Sequence, residues 1–323
     1  MRRTGIVALA ASVAVALALA ALLSPPGQVG ASQMARRATP LYTQIYPVAS
    51  VSETFVDTSR STPPNGTFPG SPTRTIPTLV LYPRQTPGQH RHFPLVVFSH
   101  GFTANGPVYT PVLSPWVAHG YVVAALTFPL SSSSAPGGPT VRDYASQPGD
   151  VSFVITQMLR LDRTAGSPIN DLINVHRIGV AGHSLGAITT LGVADNSCCQ
   201  DQRIDAAISI AGLELPFLGG RYFAGDDSPL LLIHGTADKT VPYAASQRLF
   251  IDARSPKYFL TLQGAPHTAF FKPWSPVITD TALAFLDRYL KADRDIGAIQ
   301  RAGTVPGVAS IQVHLSQRHA TAG

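Results

Sequence analysis

The stretch HRIGVAGHSLGAITTLGV, from His176 to Val193, decides how the chain is read. An apolar run, Arg177 to Ala181, meets Gly-His-Ser-Leu-Gly, and a second apolar run of different texture follows from Leu185 to Ala194. The first run is short, continuous and β-branched, as a strand covered on both faces requires. The second has the length and small residues of a buried helix. A Gly-x-Ser-x-Gly segment between the two predicts a sharp strand-to-helix turn with the Ser184 hydroxyl exposed above the sheet. Bulky side chains two residues before or after the serine would collide with neighbouring backbone, hence Gly182 and Gly186. The helix that follows points its free N–H groups at any negative charge developing beside Ser184. The alternative is an ordinary glycine-rich turn that happens to contain a serine.

A serine hydroxyl is a weak nucleophile until a base takes its proton, and the base needs a carboxylate to orient it. Both are expected on later loops. After the apolar run Leu230–His234 comes Gly235-Thr-Ala-Asp238, and after Tyr258–Leu262 comes Gly264-Ala-Pro-His267. The separations are 54 residues from Ser184 to Asp238 and 29 from Asp238 to His267. Each residue has a plain alternative: Asp238 as a turn-former, His267 as a surface histidine. Together they fall on successive loops at the carboxyl ends of buried strands, where α/β sheets place their chemistry. His234 is a weaker base because it ends the strand itself. Asp226 and Asp227 precede that strand, at the wrong end of the sheet.

An acyl-transfer intermediate would need two N–H donors for its oxyanion. Leu185, directly after the serine, supplies one. Phe102, in the loop Ser99-His-Gly-Phe-Thr103 after the run Pro94–Ser99, supplies the other, with its ring along an acyl site. Phe217, Phe270, Phe271 and Trp274 are candidates for an apolar wall, and His183, at the variable position of the pentapeptide, for a further substrate contact. Each is equally suited to a core.

Outward from this centre the pattern repeats. Val51–Asp57 and Thr75–Tyr82 predict an antiparallel hairpin. Pro94–Ser99, Tyr121–Phe128, Arg177–Ala181, Ala206–Ala211, Leu230–His234 and Tyr258–Leu262 predict buried strands. Tyr109–His119, Asp150–Leu161, Leu185–Ala194, Tyr243–Ala253 and Pro276–Leu290 predict helices. Strands alternating with helices give an α/β fold, a mostly parallel sheet with helices on both faces and an antiparallel edge. One catalytic domain is expected over residues 46–292, with no periodic pattern in a tail at 293–323.

The 323 residues are 45% hydrophobic and 13% charged, which excludes a disordered chain. Met1-Arg2-Arg3 precedes eighteen uncharged residues, Ile6 to Leu23, and a small-x-small end at Val29-Gly30-Ala31. This predicts a secretory signal over residues 1–31, with an uncleaved membrane anchor as the alternative, and a linker over 32–45. Its loss removes two arginines and no acid, lowering the net charge from +6 to +4. No basic block points to nucleic acid. Cys198 and Cys199 are adjacent, which suits neither a disulfide framework nor a zinc site; a vicinal disulfide and two free thiols both remain open.

The segments SHGFTANG, RIGVAGHSLGAITTL, CCQDQRIDAAISIAG and LLIHGTADKTVP, with the opening DTSRSTPPNG…RTIPTLVLYPR and GDVSFVITQMLRLD, resemble the α/β-hydrolase superfamily over residues 51 to 290. Within it they are similar to secreted bacterial relatives of platelet-activating-factor acetylhydrolases and chlorophyllases, with cutinases and poly(ethylene terephthalate) hydrolases as neighbours. The resemblance implies carboxylic-ester hydrolysis with no cofactor or metal, Ser184, Asp238 and His267 as triad, and Phe102 and Leu185 as oxyanion donors. The chain is expected to act on a small-molecule or lipid ester as a secreted monomer, with no nucleic-acid partner and no stable membrane insertion after signal cleavage. Amide or thioester cleavage on the same fold is the alternative chemistry; a non-catalytic surface protein is the alternative class. Three departures stand out. Ala187 replaces a frequent second glycine. No cysteine follows Cys199, where polyesterases commonly carry a disulfide. The tryptophan that often follows the nucleophile loop in polyesterases has no counterpart.

Overall fold

The structure is a computed structural model, described here for residues 41–42, 45–86, 88–225, 227–271 and 273–315. The signal expected at 1–31 and most of the linker lie outside the described residues.

The hairpin comes first in the chain. β1 (Val48–Asp57) alternates exposed and covered positions and pairs antiparallel with β2 (Arg74–Pro83). β2 then pairs antiparallel with β4 (Val122–Leu126), and from β4 through β8 every neighbour is parallel. The parallel strands are β3 (Phe93–Ser99), β4, β5 (Ile173–His183), β6 (Ala206–Ile210), β7 (Leu230–Gly235) and β8 (Lys257–Leu262). β9 (Ala309–His314) closes the far edge antiparallel to β8. The spatial order is β1-β2-β4-β3-β5-β6-β7-β8-β9.

Every residue of β3, β4, β6, β7 and β8 is buried. Strand period then divides the side chains between two cores. Val96, Phe98, Ile208, Leu231, Ile233 and Leu260 face one side, where α1 (Thr110–Ala118) and α5 (Ser275–Leu290) cover them. Leu95, Val97, Ala207, Leu230, Leu232 and Phe259 face the other, under α2 (Gln147–Asp162), α3 (Leu185–Asp195) and α4 (Tyr243–Asp252). All of α3 is buried, which its many small residues permit.

Residues 293–323 are a correction. The expected tail instead carries α6 (Ile296–Gly303) and β9. Ile299 and Ala302, three apart, bury one face of α6 in the α5 core. In β9 Ala309, Ile311 and Val313 turn inward, and Ser310, Gln312 and His314 outward. Six residues at one edge are too short a run to stand out as periodic.

A buried ionic knot ties the hairpin to α2. Arg74 is 1% exposed and reaches both Asp150 and Asp143, while Arg60 bridges Asp57 and Asp150. Asp150, in the first turn of α2, has Arg74 as its chief partner. Among the described residues no helix is long and apolar enough to cross a membrane.

Candidate active site

β5 ends at His183 and α3 begins at Leu185, so Ser184 is the single residue of the turn. Its φ is 55° and ψ −118°, a conformation L residues rarely adopt. The two glycines are required by contact. A Cβ on Gly182 would lie 2.2 Å from the Gly186 carbonyl oxygen, and one on Gly186 would lie 2.1 Å from that of Ser99. The Ser184 N–H donates to the Ile210 carbonyl (2.9 Å), while Ala187 and Ile188 donate back to the Ser184 carbonyl. The Leu185 N–H opens the first turn of α3, where helical amides have no intrahelical acceptor.

Asp238 follows β7 by three residues. Its Oδ1 accepts the N–H groups of Thr240 (2.8 Å) and Val241 (2.9 Å). Its Oδ2 lies 2.7 Å from His267 Nδ1 and 3.0 Å from His234 Nε2. Burial would raise this carboxyl's pKa, but hydrogen bonds from His234 and His267 outweigh it and hold the group well below the usual carboxylate range. Asp238 is therefore ionised and fixes the His267 proton on Nδ1, leaving Nε2 with a lone pair.

His234 is a residue the sequence reading undervalued. Its Nε2 meets two acceptors, Asp238 Oδ2 and the Val241 carbonyl at 3.0 Å, and its Nδ1 lies 2.7 Å from Ser246 Oγ. It is a second brace for the carboxylate. The His234-x-x-x-Asp238 spacing was visible, but only the turn after β7 folds the carboxylate back onto its own strand end.

His100 precedes the glycine of the loop that carries Phe102. Fully buried, its Nδ1 donates to the Gly101 carbonyl (2.7 Å), and its Nε2 accepts the Phe128 N–H (3.0 Å). Burial pushes its pKa down to about 4, so it is neutral, as this pattern demands. The Ala104 N–H also meets the Gly101 carbonyl (3.1 Å). Because the peptide is planar and trans, fixing that carbonyl turns the Phe102 N–H to the opposite side.

The apolar candidates divide. Phe102 and Phe217 share a cluster with Leu185, Ile188, Tyr144, Leu213 and Leu215. Trp274 does not join them: it is 5% exposed and packs into the core under α1 and α5. It sits at the start of α5, where the helix turns its ring inward. His183 is also 5% exposed and lies behind His267, with ring centroids 4.7 Å apart. Phe271 is 38% exposed beside Tyr109; the Phe270 side chain lies outside those described. Cys198 and Cys199 are joined as a vicinal disulfide, and Cys199 flanks the Phe217 cluster. A cleft of about 360 Å³ lined by Tyr46, Arg91, Phe93, His119 and Lys291 opens at the amino end of β3, the opposite pole from Ser184. Among the described residues no cluster of histidine, cysteine or acids suits a metal ion.

An eight-stranded run of this order, extended by β9, with a strained serine between β5 and α3, defines an α/β-hydrolase fold. The match is narrower than the superfamily: residues 77–300 fit the PETase family, described as PET hydrolase-like, and the chain belongs to that family. It is also similar to the platelet-activating factor acetylhydrolase of Canis lupus familiaris, 23% identical over 217 residues covering 55% of this chain and 48% of that protein. The chain thus spans about half the length of this curated relative.

Proposed function

We propose that the chain is a secreted serine hydrolase that cleaves carboxylic esters through an acyl-enzyme. The observation that carries this reading is the Asp238 carboxylate, 2.7 Å from His267 Nδ1, at the sheet end where Ser184 stands. The His267 Nε2 lone pair takes the Ser184 hydroxyl proton as Oγ attacks the ester carbonyl. The Phe102 and Leu185 N–H groups receive the oxyanion, and His267 returns the proton to the departing alcohol. Water then repeats the cycle in reverse on the acyl-Ser184 ester. Asp238 stays ionised and stabilises the imidazolium. No step needs a cofactor.

Short or medium acyl esters, or lipid esters, suit the wall formed by Phe102, Phe217, Leu213 and Leu215. Family membership favours a second substrate class, polyesters. Purified protein is expected to release p-nitrophenol from a short-chain ester and to lose this in Ser184→Ala. Turnover that survives the substitution contradicts the mechanism. Soluble product from poly(ethylene terephthalate) film, compared with an acyl-chain series, separates the two substrate classes. Export is tested by recovery of activity from culture medium with residues 1–31 absent from the protein.

A further inference from the structure

Two loops must keep register for the proposed chemistry: the one that presents the Phe102 N–H, and the one that presents His267. They come from β3 and β8, which are not neighbours in the sheet. A line of polar groups behind Ser184 connects them. The Gly101 N–H donates to the Tyr109 hydroxyl (3.0 Å). That hydroxyl lies 3.0 Å from His183 Nδ1, and His183 Nε2 lies 3.0 Å from the His267 carbonyl oxygen.

The proton positions follow from the partners. A carbonyl can only accept, so His183 Nε2 carries the hydrogen. In a neutral ring Nδ1 is then an acceptor, and the Tyr109 hydroxyl, which already accepts from Gly101, donates to it. Burial, first, and the neighbouring His267 push the His183 pKa down to about 3, which keeps the ring neutral and the pattern intact. Tyr109 is 2% exposed and His183 5%, so water does not compete freely for these bonds. The fit at the loop end is close. A Cβ on Gly101 would lie 3.0 Å from His183 Nδ1 and 3.2 Å from the Tyr109 hydroxyl.

We infer that Tyr109 and His183 are positioning residues, a strut that sets the oxyanion loop and the His267 loop at a fixed separation on either side of Ser184. The inference rests on the proposed ester chemistry and names the groups that align it. One end holds the Gly101 N–H while His100 holds the Gly101 carbonyl, so both dihedrals that aim the Phe102 N–H are set. The other end holds the backbone of His267 while Asp238 holds its ring. His183 is adjacent to Ser184 in the chain, so the nucleophile, base and oxyanion donor share one frame.

Tyr109→Phe removes only the hydroxyl. The expected result is a fall in kcat for p-nitrophenyl ester of about ten- to hundredfold with KM nearly unchanged, since small misplacements act on the transition state. Two replacements of His183 separate alignment from packing. Gln keeps a donor near the Nε2 position for the His267 carbonyl, whereas Asn keeps only an acceptor near Nδ1 for Tyr109. Each replacement cuts the strut at one link, so His183→Gln and His183→Asn should both lose kcat about as much as Tyr109→Phe does, and Tyr109→Phe added to His183→Asn should cost little more, because the strut is already cut. A wild-type kcat in the Gln or the Asn variant, additive losses, or an unchanged kcat in folded Tyr109→Phe would each overturn the strut. If Tyr109→Phe does not fold, the Gln and Asn variants decide. Wild type and Ser184→Ala are run alongside, together with the rate at which a fluorophosphonate labels Ser184. A wild type that hydrolyses and labels normally while the variants match it defeats the strut alone. A wild type that does neither defeats the ester-hydrolase reading and the strut together.

Discussion

Ser184 holds a backbone conformation that costs about 1–3 kcal/mol for a residue with a Cβ. The surrounding structure holds it there: β5 and α3 fix both sides, and the Ile210 carbonyl takes its N–H. Glycine adopts this region freely. Ser184→Gly is therefore expected to be more stable than Ser184→Ala by about 1 kcal/mol in urea unfolding, with both inactive. Equal stabilities would mean the turn stores no strain. Asp238→Asn keeps the shape but loses the charge that stabilises protonated His267. A drop in kcat of about 10³–10⁴ with KM little changed is expected; a loss under tenfold would show that Asp238 only shapes the turn. Ser184, Asp238 and His267 could be nominated from sequence because each sits in a local pattern, close to a glycine past a strand end. His100, Tyr109, His183 and His234 were not legible in their present roles. Their partnerships cross long stretches of chain, as from Tyr109 to His183, or depend on a turn that folds back, as from His234 to Asp238.

Elements were readable wherever one face or both faces of a run are covered. The six buried strands and five long helices met the expected order, because continuous apolar runs and amphipathic stripes report burial directly. α6 and β9 escaped because each is short and its partner, α5 for α6 and the edge strand β8 for β9, is not announced by the sequence. Trp274 suited an apolar wall and a core equally in the sequence, and α5 turns it into the core. Arg74 and Asp150 show the same limit for charge. Removing either partner leaves the other charge buried, so Asp150→Ala should cost about 3–5 kcal/mol in urea unfolding. A cost below about 1 kcal/mol would place the pair in solvent. The partners of Asp150 are Arg74 and Arg60, neither of which belongs to the proposed site, so kcat of the folded fraction should change little.

At the scale of the whole molecule, burial makes folding pH-dependent. His100 and His183 are neutral in the folded chain, held down to about 4 and about 3, whereas an unfolded histidine titrates near 6.5. The unfolded state therefore binds more protons below pH 6.5, and stability rises with pH through that window. The contribution is complete above 6.5 and is lost as pH falls toward 3–4. Between pH 7 and pH 5 the loss should be roughly 2 kcal/mol per buried histidine. Urea unfolding at the two pH values measures it. His183→Gln should show about half the wild-type slope from this pair, and an identical slope would mean His183 is not buried as a neutral ring.

The central claim is that Ser184, and no other group, forms the covalent bond, and that Asp238 and His267 make it reactive. The most direct measurement is the site and rate of fluorophosphonate labelling, read by mass spectrometry of the digested protein. A single adduct on the peptide containing Ser184, absent in Ser184→Ala and slowed at least a hundredfold in His267→Ala, is the predicted result. Labelling at another residue, or labelling of Ser184 that proceeds undiminished without His267, would contradict it.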